Sequence, residues 1–182
     1  MIRLVAIEIE RGQDMSRRQA EEEAVKRCLE ALGFDTQLCH SADGAPFLKD
    51  RPDMRISISH SAQWAVVAVA PADRGLMGID IEDSSRPQLV KVASRYLSAE
   101  ELIFAQKTPD GFAKAWTAKE AVFKAVTGKA VSFTSHIRID DSFSRAVFIP
   151  HSTSLSLNYI NFRHSNILCI ASQGNNFEII TL

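Results

Sequence analysis

Residues Trp116 to Gly128 read WTAKEAVFKAVTG. The alanines, the apolar residues and the lack of an internal proline predict a helix from about Gly111 to Thr127, closed by Gly128. Lys119, Glu120 and Lys124 are three charges in a segment otherwise composed for burial. On a wheel of about 100° per residue, Phe112 and Phe123 fall beside Trp116. Glu120 and Lys124 follow on one flank of this aromatic stripe, and Lys119 lies on the other. The far side holds Thr117, Ala118, Ala121 and Ala125, with Lys114 its one charge. The three charges therefore border the rings and do not form a solvated back face. Taken alone they read as a surface pair, Glu120 with Lys124, worth about 0.2–0.5 kcal/mol, with Lys119 snorkelling past the rings.

Upstream, MRISISH (54–60), WAVVAVA (64–70) and LMGIDIE (76–82) read as strands joined by the short SAQ and PADRG turns. In GIDIE a strand puts Asp80 and Glu82 on one face and Ile79 and Ile81 on the other. Two such carboxylates lie roughly 7 Å apart along the strand. Each raises the pKa of the other unless a positive charge intervenes, and hard oxygen donors at that spacing suit Mg²⁺. A solvated strand end explains a lone D-x-E as well. His60 closes its strand on the face of Ile56 and Ile58, with Ser57, Ser59 and Ser61 opposite. A histidine there can bind phosphate, shuttle a proton or simply be a satisfied core residue. His40, His136, His151 and His164 show no metal-ligand spacing.

The remainder sets class and boundaries. Residues 2–9 predict a strand, and Ser16 with Gln19 a capping box opening a heavily charged helix that Gly33 stops. SADGAP (41–46) is a loop. From Arg86 to about Lys107 the pattern is helical, with a break at Leu97–Ser98 where SAEE starts a new helix. VSFTSHIRID, RAVFIP, SLSLNYINFR and NILCIASQ read as strands. No internal repeat or linker is evident. The order predicts an α+β fold of two halves, 1–83 and 84–182, forming one unit.

The chain has 182 residues and a formal net charge of −1, which gives no global argument for nucleic acid. Three cysteines, Cys28, Cys39 and Cys169, make no C-x-x-C pair and predict free thiols in a reducing compartment. Arg3 and Glu8 interrupt MIRLVAIEIE, so it does not read as a signal peptide, and no apolar run is long enough to span a bilayer. A cytoplasmic protein with no membrane or nucleic-acid partner is the expectation.

In order and spacing, SISHS, GIDIE and WTAKEAVFK together resemble the three-part signature of the 4′-phosphopantetheinyl transferases. The resemblance runs from about Gly44 to Gly128 in motif order, and more loosely through the helix 87–107, where the family also carries a helix ending in an acidic Ser-x-x-Glu stretch like Ser98–Glu101. It implies transfer of the phosphopantetheine arm of coenzyme A to a serine of an acyl or peptidyl carrier protein, with release of adenosine 3′,5′-bisphosphate. By this resemblance Asp80, Glu82 and Glu120 hold Mg²⁺ and Glu120 accepts the serine proton. His60, Ser59, Lys119 and Lys124 meet the coenzyme A phosphates, and Pro46 belongs to the same binding site. His60 and Lys124 join Glu120 in the catalytic set. The form resembles the longer, surfactin-type branch, in which two similar α/β halves pack as a pseudo-dimer, and implies a monomer with its site at the internal junction. The chain is short for that form, with the shortening in the first half.

One position departs from the pattern. The family commonly carries Gly-Lys-Pro before the histidine, and here the triplet is Gly44-Ala45-Pro46. Arg17, Arg18, Lys49, Arg51 and Arg55 are the candidates to replace that lysine at the 3′-phosphate. Arg86, Lys91 and Arg95 recur at roughly helical spacing and offer either a docking face for an acidic carrier or a plain solvated face. A metal-dependent diphosphate hydrolase, or a non-catalytic relative binding carrier protein or coenzyme A, are the competing functions.

Overall fold

The computed structural model describes residues 1–126, 131–174 and 176–181. The chain runs β1 (Ile2–Glu8), α1 (Arg17–Ala31), β2 (Leu38–His40), β3 (Pro46–Leu48), β4 (Met54–His60), β5 (Trp64–Pro71) and β6 (Met77–Asp83). It continues through α2 (Pro87–Lys91), α3 (Ala99–Lys107), α4 (Gly111–Val126), α5 (Phe133–His136), β7 (Ile137–Ile139), β8 (Arg145–Phe148), β9 (Thr153–Phe162), β10 (Asn166–Ser172) and β11 (Phe177–Thr181). The fold is α+β, as the sequence predicts. Strands order as β11-β1-β5-β4 in one sheet and β6-β10-β9-β8-β7 in a second, with β2 and β3 a separate ribbon.

The layering follows from period-two burial. In β5, Trp64, Val66, Ala68 and Ala70 face the second sheet, where they meet Met77, Ile79 and Ile81 of β6 and Leu168 and Ile170 of β10. The alternate residues Ala65, Val67 and Val69 face α1, against Ala24, Val25, Cys28 and Leu29. On the outer face of the second sheet, α3 and α4 cover Ile137, Ala146, Leu155 and Cys169. The result is helix, sheet, sheet, helix. The order β1-β5-β4 recurs as β6-β10-β9, with antiparallel pairing in both. β6 is hydrogen-bonded to β10 of the second sheet, although a division at residue 83 would group it with the first; β11 adds in parallel to β1.

β4 joins the two sheets. The hydroxyls of Ser57 and Ser59 accept hydrogen bonds from the amides of Ile79 and Ile81, at 3.0 and 3.1 Å. These amides lie on the edge of β6 away from β10, and side-chain oxygens satisfy them where a strand would otherwise pair. The alternation in ISISHS therefore has two uses. Its isoleucines pack toward α1, and its serines stitch β4 to β6.

In the first half the boundaries of β1, α1, β4, β5 and β6 match the sequence closely, but the β2–β3 ribbon was not predicted, and Pro46, read as loop, opens β3. Ser16 and Gln19 form the predicted capping box, and Ser98 and Glu101 form another at the start of α3. The helix before Ser98 is in two pieces, α2 and a 3₁₀ turn at Ala93–Arg95. Two further differences stand out. VSFTSHIRID is not one strand: Ser132 caps the single-turn helix α5, and only Ile137–Ile139 is extended. The strand β11 has no counterpart in the sequence reading. Thr127 and Gly128, the expected end of α4, lie outside the described residues.

Candidate functional site

Gly78 lets α4 lie directly on β6. A β-carbon at this position would stand 2.1 Å from the carbonyl oxygen of Ala121 and 2.6 Å from the amide nitrogen of Ala125. Ala118, Ala121 and Ala125, the small residues of the wheel, form the buried contact face. Contact at this range brings the polar flank of α4 against the carboxylate face of β6.

Three motifs meet there. Lys124 Nζ lies 2.7 Å from Asp80 Oδ1 and 3.1 Å from Ser59 Oγ, and Ser59 Oγ donates to the same Asp80 oxygen at 2.8 Å. Asp80 is 7% exposed. Burial pushes its pKa up, against the opposing pull of Lys124 and the Ser59 hydroxyl. Glu120 is pushed up to about 7, first by burial and then by the charge of Asp80, with Glu82 adding to it and Lys124 opposing. Glu82 is engaged from its other side: Arg86 Nη1 donates to Oε2, and the amide of Asp83 donates to Oε1 at 2.9 Å.

This corner floors a cleft of about 790 Å³. One wall is α1, with Arg18, Glu21, Glu22 and Val25; the others are β4, the 43–46 turn, Asp80, Phe123 and Lys124. His60 lines the cleft, 44% exposed, with Nδ1 at 3.6 Å from Glu21 Oε1. Arg17 Nε also donates to that oxygen, at 2.6 Å. Ala45 and Pro46 line the cleft too. Of the five basic candidates to replace the missing lysine, Arg18 alone is in the described lining.

Lys119 is elsewhere. Its ammonium is fully buried and donates to Glu101 Oε2 at 2.7 Å, the Ile137 carbonyl at 2.7 Å and the Phe133 carbonyl at 2.9 Å. With three acceptors on the α3 side of α4, it does not face the cleft. The expectation that it meets a phosphate is corrected by this placement. Ser59, His60, Asp80, Lys124 and Pro46 share the cleft; Glu120 and Glu82 are not in its lining, although the charges of Asp80 and Glu82 both reach Glu120.

Three partners escaped sequence reading: Glu21 beside His60, Arg86 on Glu82, and Glu101 on Lys119. Glu101 carried a signal as a capping-box residue, but its second role depends on contacts 18 and 38 residues away.

Burial, with a smaller contribution from neighbouring carboxylates, pushes up the pKa values of Asp80 and Glu120, and a bound cation would offset both effects. Asp80, Glu82 and Glu120 supply hard oxygens of the type Mg²⁺ takes. As placed, no three described His, Cys, Asp or Glu side chains converge into a ligand cluster. Asp80 is occupied by Lys124 and Glu82 by Arg86, so the fit is one of donor type and charge. No helix among the described residues is long and apolar enough to cross a membrane.

The family model of the 4′-phosphopantetheinyl transferase superfamily matches residues 76–172, from the start of β6 through β10, and the chain belongs to that superfamily. A 4′-phosphopantetheinyl transferase of Bacillus subtilis is 34% identical over 59% of this chain and 49% of its own. The 4′-phosphopantetheinyl transferase psf-1 of Bacillus pumilus is 34% identical over 58% and 43%. A relative from Synechocystis sp. is 27% identical over 82% of this chain and 62% of its own. The matches thus span about half the length of these curated relatives.

Proposed function

We propose that this chain transfers the 4′-phosphopantetheine arm of coenzyme A to a serine of an acyl or peptidyl carrier protein, releasing adenosine 3′,5′-bisphosphate. The observation that carries the reading is the shared contact of Ser59, Asp80 and Lys124, which unites the three motifs on the floor of one cleft. The names of the Bacillus relatives support it.

In this reading the diphosphate lies over Lys124, Ser59 and His60. Glu21 lies 3.6 Å from Nδ1 of His60, and the half-exposed ring is open to a phosphate oxygen from the cleft. Asp80, Glu82 and Glu120 would hold Mg²⁺, which when bound neutralises charge on the diphosphate. The carrier serine attacks the phosphorus that bears the pantetheine arm. The new O–P bond forms as the bond to the bisphosphate breaks, and the serine proton passes to Glu120, directly or through a water. A carboxylate held near neutrality is matched to accepting a proton at physiological pH. Lys124 offsets the charge that grows on the oxygens of the leaving bisphosphate.

Arg18, in the cleft wall, takes the place at the 3′-phosphate left by Ala45. The exposed Arg86, Lys91 and Arg95, with no carboxylate between residues 84 and 99, suit an acidic carrier. Val90, 57% exposed among them, adds an apolar contact. The recurring strand order supports two related halves, and because one chain supplies every element of the site, a monomer suffices. The free thiols suit a reducing compartment such as the cytoplasm.

The test is incubation of apo carrier protein with this protein, coenzyme A and Mg²⁺. A gain in carrier mass equal to the phosphopantetheine arm, with one bisphosphate released per arm, is expected. Bisphosphate released without any carrier would mark a hydrolase and overturn the reading.

A further inference from the structure

Lys119 and Glu120 are adjacent on α4 and face different neighbours. Glu120 lies within electrostatic reach of Asp80 and Glu82 of β6, and Lys119 meets the start of α3 and the segment after α4. Three hydrogen bonds on an ammonium with no exposure leave that side chain one position to occupy. Its partners are themselves fixed. Glu101 Oε2 also accepts from the amide of Ser98 at 2.8 Å, and Oε1 accepts from the amide of Ile139 at 3.0 Å. Glu101 thereby ties the N-terminus of α3 to β7, and Lys119 ties α4 to both.

We propose that Lys119 is a positioning residue for the transfer site, setting the rotation of α4 about its axis and so aiming Glu120 and Lys124 at Asp80. The alanine face of α4 against β6 is nearly smooth, so that contact resists rotation of the helix about its axis less than interlocking larger side chains would. Ala118, Ala121 and Ala125 bring α4 close to β6 but do not set its angle. A buried, directional ion pair does, since rotation would strand a charge in a dry interior. Trp116, edge-on to Tyr96 with ring centroids 5.0 Å apart, restrains the same side of the helix. A turn of one residue's arc, about 100°, would carry Glu120 away from Asp80 altogether.

This inference rests on the transferase reading for its activity readout, but its structural content can be tested without turnover. Two variants serve. Lys119→Met removes the ammonium. Lys119→Met with Glu101→Gln also removes the stranded charge while keeping an acceptor for one of the two amides, so the fold is retained if the single variant fails. Mn²⁺ is titrated into each and followed by its electron spin resonance signal, and steady-state transfer is measured alongside. The double variant is expected to fold, with Mn²⁺ affinity and kcat each at least about ten-fold lower and KM for coenzyme A within about threefold. A folded double variant with wild-type Mn²⁺ affinity and kcat would overturn the proposal. So would a loss confined to KM, because it would put the lysine on the substrate. If the wild-type chain binds Mn²⁺ and transfers nothing, the transferase reading fails, and the titration still decides the role of Lys119.

Discussion

Lys124 and Asp80 lie 44 residues apart in sequence and 2.7 Å apart in space, joining the last turns of α4 to the middle of β6. Asp80 is buried and Lys124 is about a quarter exposed, so this is a half-dry pair in which the carboxylate depends on the lysine more than the reverse. Lys124→Met is expected to lower kcat/KM for transfer by about 10–100-fold, a loss of about 1.4–2.7 kcal/mol of transition-state stabilisation. Without its cation, Asp80 binds a proton more tightly in the folded state than before. The stability this protonation contributes is present at low pH and lost as pH rises, so the melting temperature of the variant should fall further below wild type at high pH than at low. A melting series against pH in metal-free buffer checks this, and equal losses at every pH would contradict it.

Ser57 and Ser59 share one structural task and differ in a chemical one. Each hydroxyl satisfies an edge amide of β6, and Ser59 alone touches Asp80 and Lys124. Either serine changed to alanine strands a buried amide, at about 1–2 kcal/mol. Ser59→Ala should also raise KM for coenzyme A or lower kcat by about ten-fold, with Ser57→Ala much closer to wild type. Denaturant unfolding and steady-state kinetics on the two variants separate the roles, and equal kinetic losses would remove Ser59 from the site.

Glu120 gives the metal-free protein a pH dependence with a definite sign. Its carboxyl titrates near 7 in the fold and near its ordinary 4.5 when unfolded. Between those values the folded state holds the extra proton, so the stability it contributes is complete below 4.5 and is lost as pH rises through 7. The loss is at most about 3 kcal/mol. Glu120→Gln should flatten that slope, be more stable than wild type above neutrality, and lower transfer by at least about 100-fold. Mg²⁺ should stabilise wild type more at high pH than at low, because it competes with that proton. Melting curves with and without Mg²⁺ at about pH 5 and about pH 8 test all three. An Mg²⁺ effect of equal size at both pH values would remove Glu120 from the metal set.

The sequence made this site legible where chemistry and period coincide. Asp80 and Glu82 on one face of β6, and Glu120 and Lys124 on one flank of α4, follow from periods of 2 and about 3.6 residues. Lys119 was misdirected for the same reason. Its flank of the helix is polar on a wheel, and no local pattern shows that a carboxylate 18 residues earlier and two carbonyls after the helix close over it. The charge-heavy α1 shows the converse limit. By sequence Arg18, Glu21 and Glu22 are only part of a heavily charged helix, yet together with β4 they line the cleft. The strand β11 escaped because its pairing with β1 is parallel and distant, and none of its residues is fully buried. VSFTSH has strand-like alternation, but Ser132 caps a turn there, and Lys119 holds the Phe133 and Ile137 carbonyls on either side of it.

Gly78 is the contact on which the whole arrangement is hinged. A methyl group added there would meet the backbone of α4 at two points, the Ala121 carbonyl and the Ala125 amide, neither of which can move aside as a side chain would. Gly78→Ala must therefore lift α4 from β6 or shift β6 against β10, and a displacement of either element separates Lys124 from Asp80. The cost is expected at about 3 kcal/mol or more, from overpacking and from the looser core left beneath the lifted helix. Gly78→Ala should lose Mn²⁺ affinity and transfer together. Gly174→Ala, where nothing stands within 4 Å of the added carbon, should leave both near wild type. Unfolding by denaturant, with Mn²⁺ titration of the folded fraction, reads out the pair. A Gly78→Ala protein that kept wild-type stability and metal affinity would show that α4 does not owe its place to this contact, and would free the aim of Glu120 and Lys124 from the packing of β6.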